Sequence, residues 1–153
     1  MGKNNKRTTF NQITAALARK SEIPGADSPS RGKSPVVFSF KHLDDSNPKF
    51  GLARCKDKGA WAELLIERLK GVCTLSLSEF VNSGGNPKAD RSHIIDFSTT
   101  TEKAGFPILA PIWKERPWQF QLSVSEGRVH GFLIEHVFYV VWFDPEHELW
   151  KHR

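Results

Sequence analysis

The clearest pattern in the chain is an alternation of apolar and polar positions from Trp118 to Phe143, WQFQLSVSEGRVHGFLIEHVFYVVWF. A period of two predicts β-strands. Two turn candidates, Glu126-Gly127 and Glu135-His136, divide this run, and the glycine of the first can adopt a positive φ. The segment is therefore predicted to form a three-stranded antiparallel meander.

Two-residue turns at both places would fix the register, so that Val129 faces Val124 on one side and Trp142 on the other. One face is then wholly apolar and is expected to pack against helices. This face contains Trp118, Phe120, Leu122, Val124, Val129, Gly131, Leu133, Phe138, Val140 and Trp142.

The opposite face of the predicted meander mixes polar and aromatic side chains. It contains Gln119, Gln121, Ser123, Arg128, His130, Phe132, Ile134, Val137, Tyr139, Val141 and Phe143. A surface of this composition suits a ligand or a partner. The alternative is that residues 36–58 or the proline-rich loops cover it.

Apolar residues at helical spacing predict two helices before the meander. In DKGAWAELLIERLKGVC, Trp61, Leu65 and Leu69 share one face, and TLSLSEFVNSGG predicts a second, shorter helix. Strands are predicted at Val36 to Leu43 and His93 to Phe97, and a helix of one or two turns in ILAPIWKERPW. The predicted fold class is α+β: a small antiparallel sheet, made of the meander and an N-terminal strand, packed on one face by two helices.

Residues 1–35 differ in composition from the rest of the chain. They carry seven Lys or Arg against two acidic residues, a net charge of +5, whereas residues 36–153 carry fifteen of each sign. A short helix is predicted at residues 9–20, and a flexible linker at residues 21–35, which contain three prolines and four serines. The expected organisation is a basic leader (1–35), able to contact phosphate or to act as a solvated tail, and one globular domain (36–153).

Several functional classes lack support in the sequence. No apolar run approaches the roughly 20 residues of a membrane span. Cys55 and Cys73 fit no zinc spacing, which favours reduced thiols in the cytoplasm. No phosphate-binding loop, dinucleotide fingerprint or serine-nucleophile motif occurs.

The histidines and arginines suggest acid–base chemistry on RNA that needs neither a metal nor another cofactor. A base removes the 2′-hydroxyl proton, an acid protonates the leaving oxygen, and a cation holds the phosphate. Arg128 is the candidate cation, with His130 and His147 as base or acid. Further candidates are His93 and Arg91 of RSHIID, with Gln121, Tyr139 and Trp118 for substrate binding.

Two alternatives use the same residues differently. His130, His136 and Asp144 would form a metal site if the turns brought them together. His130 would instead be structural if a hydrogen bond held it within the sheet.

SVSEGRVHGFLIEHVFYVVWFDPEHELW, residues 123–150, resembles the C-terminal part of RelE/YoeB-like toxins of bacterial toxin–antitoxin systems. The shared order is a sheet arginine, a following strand and a terminal histidine with an aromatic residue. By this resemblance Arg128 matches the sheet arginine and His147 the terminal histidine. The resemblance implies a cytoplasmic, mRNA-cleaving endoribonuclease, often ribosome-dependent, that an antitoxin protein neutralises.

Two functions are therefore expected. The first is an RNA-directed, toxin-like, metal-independent endoribonuclease that uses the Arg128 and His130 face. The second is a non-catalytic protein-interaction or nucleic-acid-binding accessory protein of phage or mobile-element origin.

Overall fold

The C-terminal meander forms the centre of a five-stranded sheet in the computed structural model of the chain. Strands β3 (Pro117–Gln121), β4 (Arg128–Ile134) and β5 (Val137–Asp144) are antiparallel neighbours. Strand β1 (Val37–Ser39) lies beside β5, and strand β2 (His93–Ile94) lies beside β3. The strand order is β1-β5-β4-β3-β2.

The structure describes residues 32–82, 92–108, 110–114 and 116–150. The predicted leader helix, the first part of the predicted linker and Arg91 lie outside these residues. No helix of the described ranges has the length and apolar character needed to cross a membrane.

Two helices pack on one face of the sheet. Helix α1 (Lys58–Val72) begins after Asp57, whose Oδ1 accepts a hydrogen bond from the backbone N–H of Ala60 at 3.0 Å. This cap satisfies one of the free N–H groups at the start of the helix. Helix α2 (Leu77–Asn82) follows after a short turn. The predicted α+β class, a small sheet packed by helices, is confirmed.

Three shorter helical elements complete the described fold. They are the 3₁₀ turns Leu52–Arg54 and Phe97–Thr99 and helix α3 (Ala110–Trp113). The prolines around α3 limit it to about one turn, as predicted.

Strand β1 changes the predicted sheet in one respect. It pairs with β5 in parallel, Val37 opposite Val137 and Ser39 opposite Tyr139, so the sheet is mixed. The chain runs from β1 through both helices before it reaches β5, and a long connection of this kind permits a parallel pair.

The apolar face of the meander and the two helices enclose the first hydrophobic core. Phe120, Val129 and Phe138 are fully buried there. Its other buried members are Val36, Cys55, Trp61, Leu65, Leu69, Val72, Phe80, Trp118, Leu122, Leu133, Val140 and Phe143.

The opposite face of the sheet is covered by a second core, so the prediction of an open face is wrong. Phe132, Val141 and His130 have no exposed surface. The side chains packed around them come mostly from short segments outside the meander: Phe50, Ile95, Phe97, Phe106, Trp113 and Leu149, together with Trp142 of β5. The alternative that residues 36–58 or the proline-rich loops cover this face is therefore correct in outline, since Phe50 and Trp113 belong to these segments.

The turn between β4 and β5 is the predicted one. Ile134 pairs with Val137, and Glu135 takes a φ of 54° in the left-handed region. Further along, Gly131 pairs with Val140 but His130 pairs with Trp142, which leaves Val141 as an extra residue. The strand therefore contains a β-bulge.

The bulge reverses the faces of the last residues of β5. Trp142, predicted on the helix-facing side, lies in the second core, and Phe143, predicted on the opposite side, lies in the first. A period of two cannot reveal a bulge, because one extra residue moves every later side chain to the other face.

The predicted two-residue turn at Glu126-Gly127 is wrong. Residues 122–127 connect β3 to β4, and Phe120 rather than Val124 pairs with Val129. Val124 is consequently 75% exposed instead of lying in the core. Gly127 does have a positive φ, 104°, and its backbone lies close to Asp144 and Pro145, where a Cβ atom would come within 2.6 Å.

The last residues of the predicted linker belong to the folded body. The backbone N–H of Leu77 donates to Ser34, that of Ser78 donates to Gly32, and Pro35 bridges to Ser76. The backbone carbonyls of Gly32 and Ser34 therefore hold the start of α2, and residues 32–35 form neither a helix nor a central strand.

Candidate functional site

Polar side chains cross the sheet at one end of its second face. In one row, His93 of β2 lies beside Gln119, and Gln119 lies beside His130. In the next row, Gln121 lies beside Arg128, and Arg128 lies beside Asp144. Cross-strand pairs share a face, so the six residues of these two adjacent rows form one group. The whole group is named here the polar row.

His130 and Asp144 form a buried pair at the centre of the polar row. Nε2 of His130 lies 3.1 Å from Oδ2 of Asp144, and neither residue has exposed surface. Burial lowers the pKa of His130, and Arg128 lowers it further, against the opposing effect of Asp144. The imidazole is therefore neutral near pH 7 and donates its Nε2 proton to Asp144.

Asp144 also holds the chain that follows β5. Its Oδ1 accepts the backbone N–H of Glu148 at 2.7 Å, and its Oδ2 accepts that of Leu149 at 3.0 Å. Burial opposes ionisation of this carboxyl group, but His130 and the two N–H groups outweigh burial, and the pKa of Asp144 is lowered. A carboxylate with three donors remains ionised inside the protein.

Nδ1 of His130 is buried and finds no hydrogen-bond partner among the described residues. Because Nε2 carries the proton that Asp144 accepts, Nδ1 presents a lone pair. A carboxylate on one imidazole nitrogen and a free lone pair on the other is the arrangement of a histidine general base.

Residues 145–150, named here the C-terminal strap, cross over the polar row. Leu149 is fully buried, and its carbonyl accepts the backbone N–H of Thr101 at 2.8 Å. The Trp150 ring centroid lies 6.0 Å from that of His130 and 6.3 Å from that of His93. Trp150 is only half-buried, so its ring lies between His130 and solvent.

His93 is the exposed imidazole of the polar row. The side-chain amide of Gln119 donates to Nε2 of His93 at 2.6 Å. Burial lowers the pKa of His93, and Arg128 and His130 lower it as well.

Arg128 is half-buried and is the first residue of β4. Its Nη1 donates to the carbonyls of Gly127 at 3.0 Å and Ser123 at 3.3 Å. These bonds orient the guanidinium of a residue that is partly exposed.

The structure separates His147 from the other predicted site residues. It has a positive φ of 58° within the strap. Its side chain lines a cleft of about 840 Å³ at the start of α1, together with Arg54, Trp61 and Glu146. Of the candidate site residues that the structure describes, no other lines that cleft.

Two predicted substrate-stacking residues lie elsewhere. Trp118 is in the first core, 6.2 Å from Phe80 between ring centroids. Tyr139 shares the face of the polar row but stacks on Phe132 at 5.1 Å, at the other end of the strands. Gln121 is half-buried within the polar row.

Sequence reasoning missed Asp144 as the partner of His130, together with Gln119 and Trp150. Asp144 joins the row only because of the bulge, which places it opposite Arg128. One signal in the sequence could have predicted the burial of His130. Phe132, Ile134 and Val141 share its face, and several large apolar side chains around a histidine indicate that a face is covered.

Within the described residues, no three His, Cys, Asp or Glu side chains could hold a metal ion together. His136 lies in the β4–β5 turn, at the opposite end of β5 from Asp144, so the set His130, His136 and Asp144 does not converge. Cys55 and Cys73 are free thiols.

Comparisons with protein-family models, curated proteins and solved structures find no match to this chain.

Proposed function

We propose that this protein is a metal-independent endoribonuclease that acts on single-stranded RNA at the polar row. The observation that carries the proposal is the buried Asp144–His130 pair. It fixes Nε2 of His130 at 3.1 Å from a carboxylate oxygen and leaves Nδ1 as an unpaired base. Near pH 7 a neutral histidine with an oriented ring is suited to remove a hydroxyl proton.

The other members of the row supply the remaining roles. His93, exposed and in the same row as His130, is the proposed acid that protonates the leaving 5′-oxygen. Arg128 is the proposed cation for the phosphate, and Trp150 is a ring on which a base could stack after it moves. The 2′-oxygen attacks phosphorus and the 5′-oxygen leaves with the proton from His93, which gives a 2′,3′-cyclic phosphate.

Access to His130 requires a movement of the strap. Among the described residues, two aromatic rings pack beside His130: Phe50, which is 1% exposed, and Trp150, which is half-exposed. Trp150 is therefore the side chain that RNA would displace. A toxin-like role in bacteria, with an antitoxin protein that blocks the row, belongs to the same proposal.

The test is cleavage of a labelled single-stranded RNA in the presence of EDTA, with the 2′-deoxy version of the same strand as the substrate control. We expect His93→Ala and Arg128→Ala each to lower the rate by about 10²–10⁴-fold. His136→Ala is the matched control, because His136 lies in the turn at the other end of β4. Expression in a bacterial host should slow growth, and Arg128→Ala should abolish that effect.

A second function, non-catalytic binding of a protein or nucleic acid, is favoured by the complete burial of His130. Buried histidines bonded to a carboxylate commonly stabilise a fold. Equal RNA stability with and without the protein would reject the ribonuclease and leave this function, whereas cleavage at equal rates by His93→Ala and the wild type would reject His93 as the acid.

A further inference from the structure

A second cavity lies beside β2 and β3, away from the polar row. It has a volume of about 400 Å³, enough for one nucleotide, and is named here the lysine slot. Its apolar wall is formed by Ile95, Phe97, Trp113 and Pro117. Its lining also contains three charged side chains, Asp96, Lys103 and Lys114, and the small residues Ser98, Ala104 and Ala110.

The wall of the lysine slot is held in place by its own contacts. Nε1 of Trp113 donates to the carbonyl of Ile108 at 2.9 Å, and the ring centroids of Trp113 and Phe97 are 5.2 Å apart. Gly105 lies against the same ring, where a Cβ atom would come within 2.6 Å of Cζ2. The slot is therefore formed before any ligand arrives, which lowers the entropic cost of binding.

The two lysines are available to an anion. Both are exposed, and no described residue forms an ion pair or a hydrogen bond with the ammonium group of either. Lys49 differs from them, because its Nζ lies 2.7 Å from the carboxylate of Glu102. Two unengaged lysines at the mouth of one apolar slot suit a phosphate attached to a flat ring.

Asp96 gives the slot a hydrogen-bond acceptor of fixed position. Its Oδ1 accepts from the backbone N–H of Ser98 at 3.0 Å and from Oγ of Ser98 at 2.6 Å, so the carboxylate is oriented. Within the described residues, its Oδ2 accepts no hydrogen bond. Adenine, cytosine and guanine carry an exocyclic amino group that can donate to a carboxylate, whereas uracil does not.

We propose that the lysine slot binds one nucleotide of an RNA strand, with its base against the apolar wall and its phosphate at Lys103 and Lys114. This inference rests on the proposed function, because RNA supplies the ligand class. Asp96 is three residues after His93, at most about 10 Å along the chain. The slot therefore lies within reach of a nucleotide next to the one held at the polar row, and Asp96 selects bases with an amino group.

The test uses the full chain with two families of probes. The first is 5′-AMP, 5′-UMP and inorganic phosphate, measured by calorimetry. The second is oligo(A) and oligo(U) RNA of ten nucleotides, measured by fluorescence anisotropy at fixed salt. The variant is Lys103→Ala with Lys114→Ala, and the matched control is Lys41→Ala with Lys70→Ala, which removes the same charge from exposed lysines elsewhere.

We expect the slot variant to bind oligo(A) and 5′-AMP about tenfold more weakly or worse, while the control changes by less than about twofold. Asp96→Asn keeps an oxygen for Ser98 and turns an amide N–H outward, so it should remove or reverse the preference for oligo(A) over oligo(U). Thermal melting by circular dichroism checks that each variant is folded.

The outcomes separate this inference from the proposed function. Equal weakening by the slot variant and the control overturns the slot, because the effect is then general charge. Weaker 5′-AMP binding with unchanged RNA binding also overturns it, in favour of a site for free nucleotides. Loss of RNA binding in the slot variant alone, without RNA cleavage by the wild type, supports the slot and rejects the ribonuclease.

Discussion

At the residue scale, the proposed function depends on how one histidine is held. The sequence predicts His130 on an exposed face, and the structure places it in a second core with Asp144 as its partner. The direction of its side chain along β4 could be predicted from the strand period, since Arg128 and His130 do point the same way. The burial of His130 could not be predicted, because the residues that cover it, such as Phe50 and Leu149, lie in irregular segments outside the meander.

The first prediction concerns pH and stability. The folded-state pKa of His130 lies below 6.5, so the unfolded chain binds a proton at a higher pH than the folded chain. The contribution of His130 to stability is therefore complete above pH 6.5 and is lost as pH falls through the folded-state pKa. Urea unfolding between pH 7.5 and 5 should show this loss, and His130→Gln, which keeps a donor for Asp144, should reduce it.

His42 and His93 also have lowered pKa values, so some of the loss belongs to them. Both are more exposed than His130, and their share should be smaller. An unfolding free energy that stays level between pH 7.5 and 5, or a His130→Gln variant with an unchanged slope, would contradict the role given to His130.

The second prediction concerns pH and rate. Cleavage needs a neutral His130 and a protonated His93, and burial lowers both pKa values below 6.5. The rate should therefore be greatest below pH 6.5 and fall as pH rises, because His93 loses its proton. Initial rates from pH 4.5 to 8 measure this, and a maximum above pH 7 would exclude His93 as the acid.

At the element scale, local patterns predict elements well and pairings less well. The helical spacing of apolar residues predicts helix α1, and the break in the alternation of apolar and polar residues predicts the Glu135-His136 turn. The bulge at Val141 and the β3–β4 loop could not be predicted, because an extra residue leaves the composition of a strand unchanged. The parallel pairing of β1 with β5 could not be predicted either, because it depends on contacts across about a hundred residues.

The third prediction tests the bulge. A Cβ atom on Gly131 would overlap the carbonyl oxygen of Tyr139 and come within 2.6 Å of Cε1 of Phe138. Because the oxygen belongs to the backbone of β5, the strand must shift, and Gly131→Ala should destabilise the protein by about 3 kcal/mol. Gly71→Ala is the control, because it has open space at the end of α1 and should stabilise by about 0.5 kcal/mol. Chemical denaturation measures both, and a neutral Gly131→Ala would contradict the close approach.

The fourth prediction tests the first core. Leu133 is 4% exposed and packs on the helix side of β4. Leu133→Ala removes three buried carbon atoms and leaves a cavity, so a loss of about 2–5 kcal/mol is expected in urea unfolding. Arg128→Ala, on the other face of the same strand, should cost within about 1 kcal/mol. A larger loss for Arg128→Ala would show that its bonds to Ser123 and Gly127 hold the β3–β4 loop.

At the scale of the whole molecule, one sheet separates two cores of different origin. The first core was predictable, because its helices and strands each carry an apolar face. The second packs β4 and β5 against irregular segments without periodicity, and the strap covers His130 while His93 stays exposed. The candidate site was therefore only half predictable: Arg128, His130 and His93 could be named, but the burial of His130 and the role of Asp144 emerge from the tertiary fold.

The last prediction concerns the basic leader. Residues 1–31 carry six Lys or Arg and two acidic residues, a net charge of +4 out of +5 for the chain. Because the backbone bonds of Gly32 and Ser34 to α2 remain in the shortened chain, deletion of residues 1–31 should leave the unfolding free energy within about 1 kcal/mol of the full chain. The same deletion should weaken RNA binding and flatten its dependence on salt. On single-stranded RNA, the slope of the logarithm of the binding constant against the logarithm of the salt concentration should become shallower by about 0.7 for each phosphate that the leader neutralises in the full chain.

Deletion of residues 1–36 is the informative comparison, because it also removes the buried Val36 and should destabilise the fold. Anisotropy titrations between 50 and 300 mM salt, with urea unfolding of both truncations, measure these effects. A 1–31 deletion that unfolds the protein, or one that binds RNA with an unchanged slope, would show that the leader belongs to the core or has no part in RNA binding.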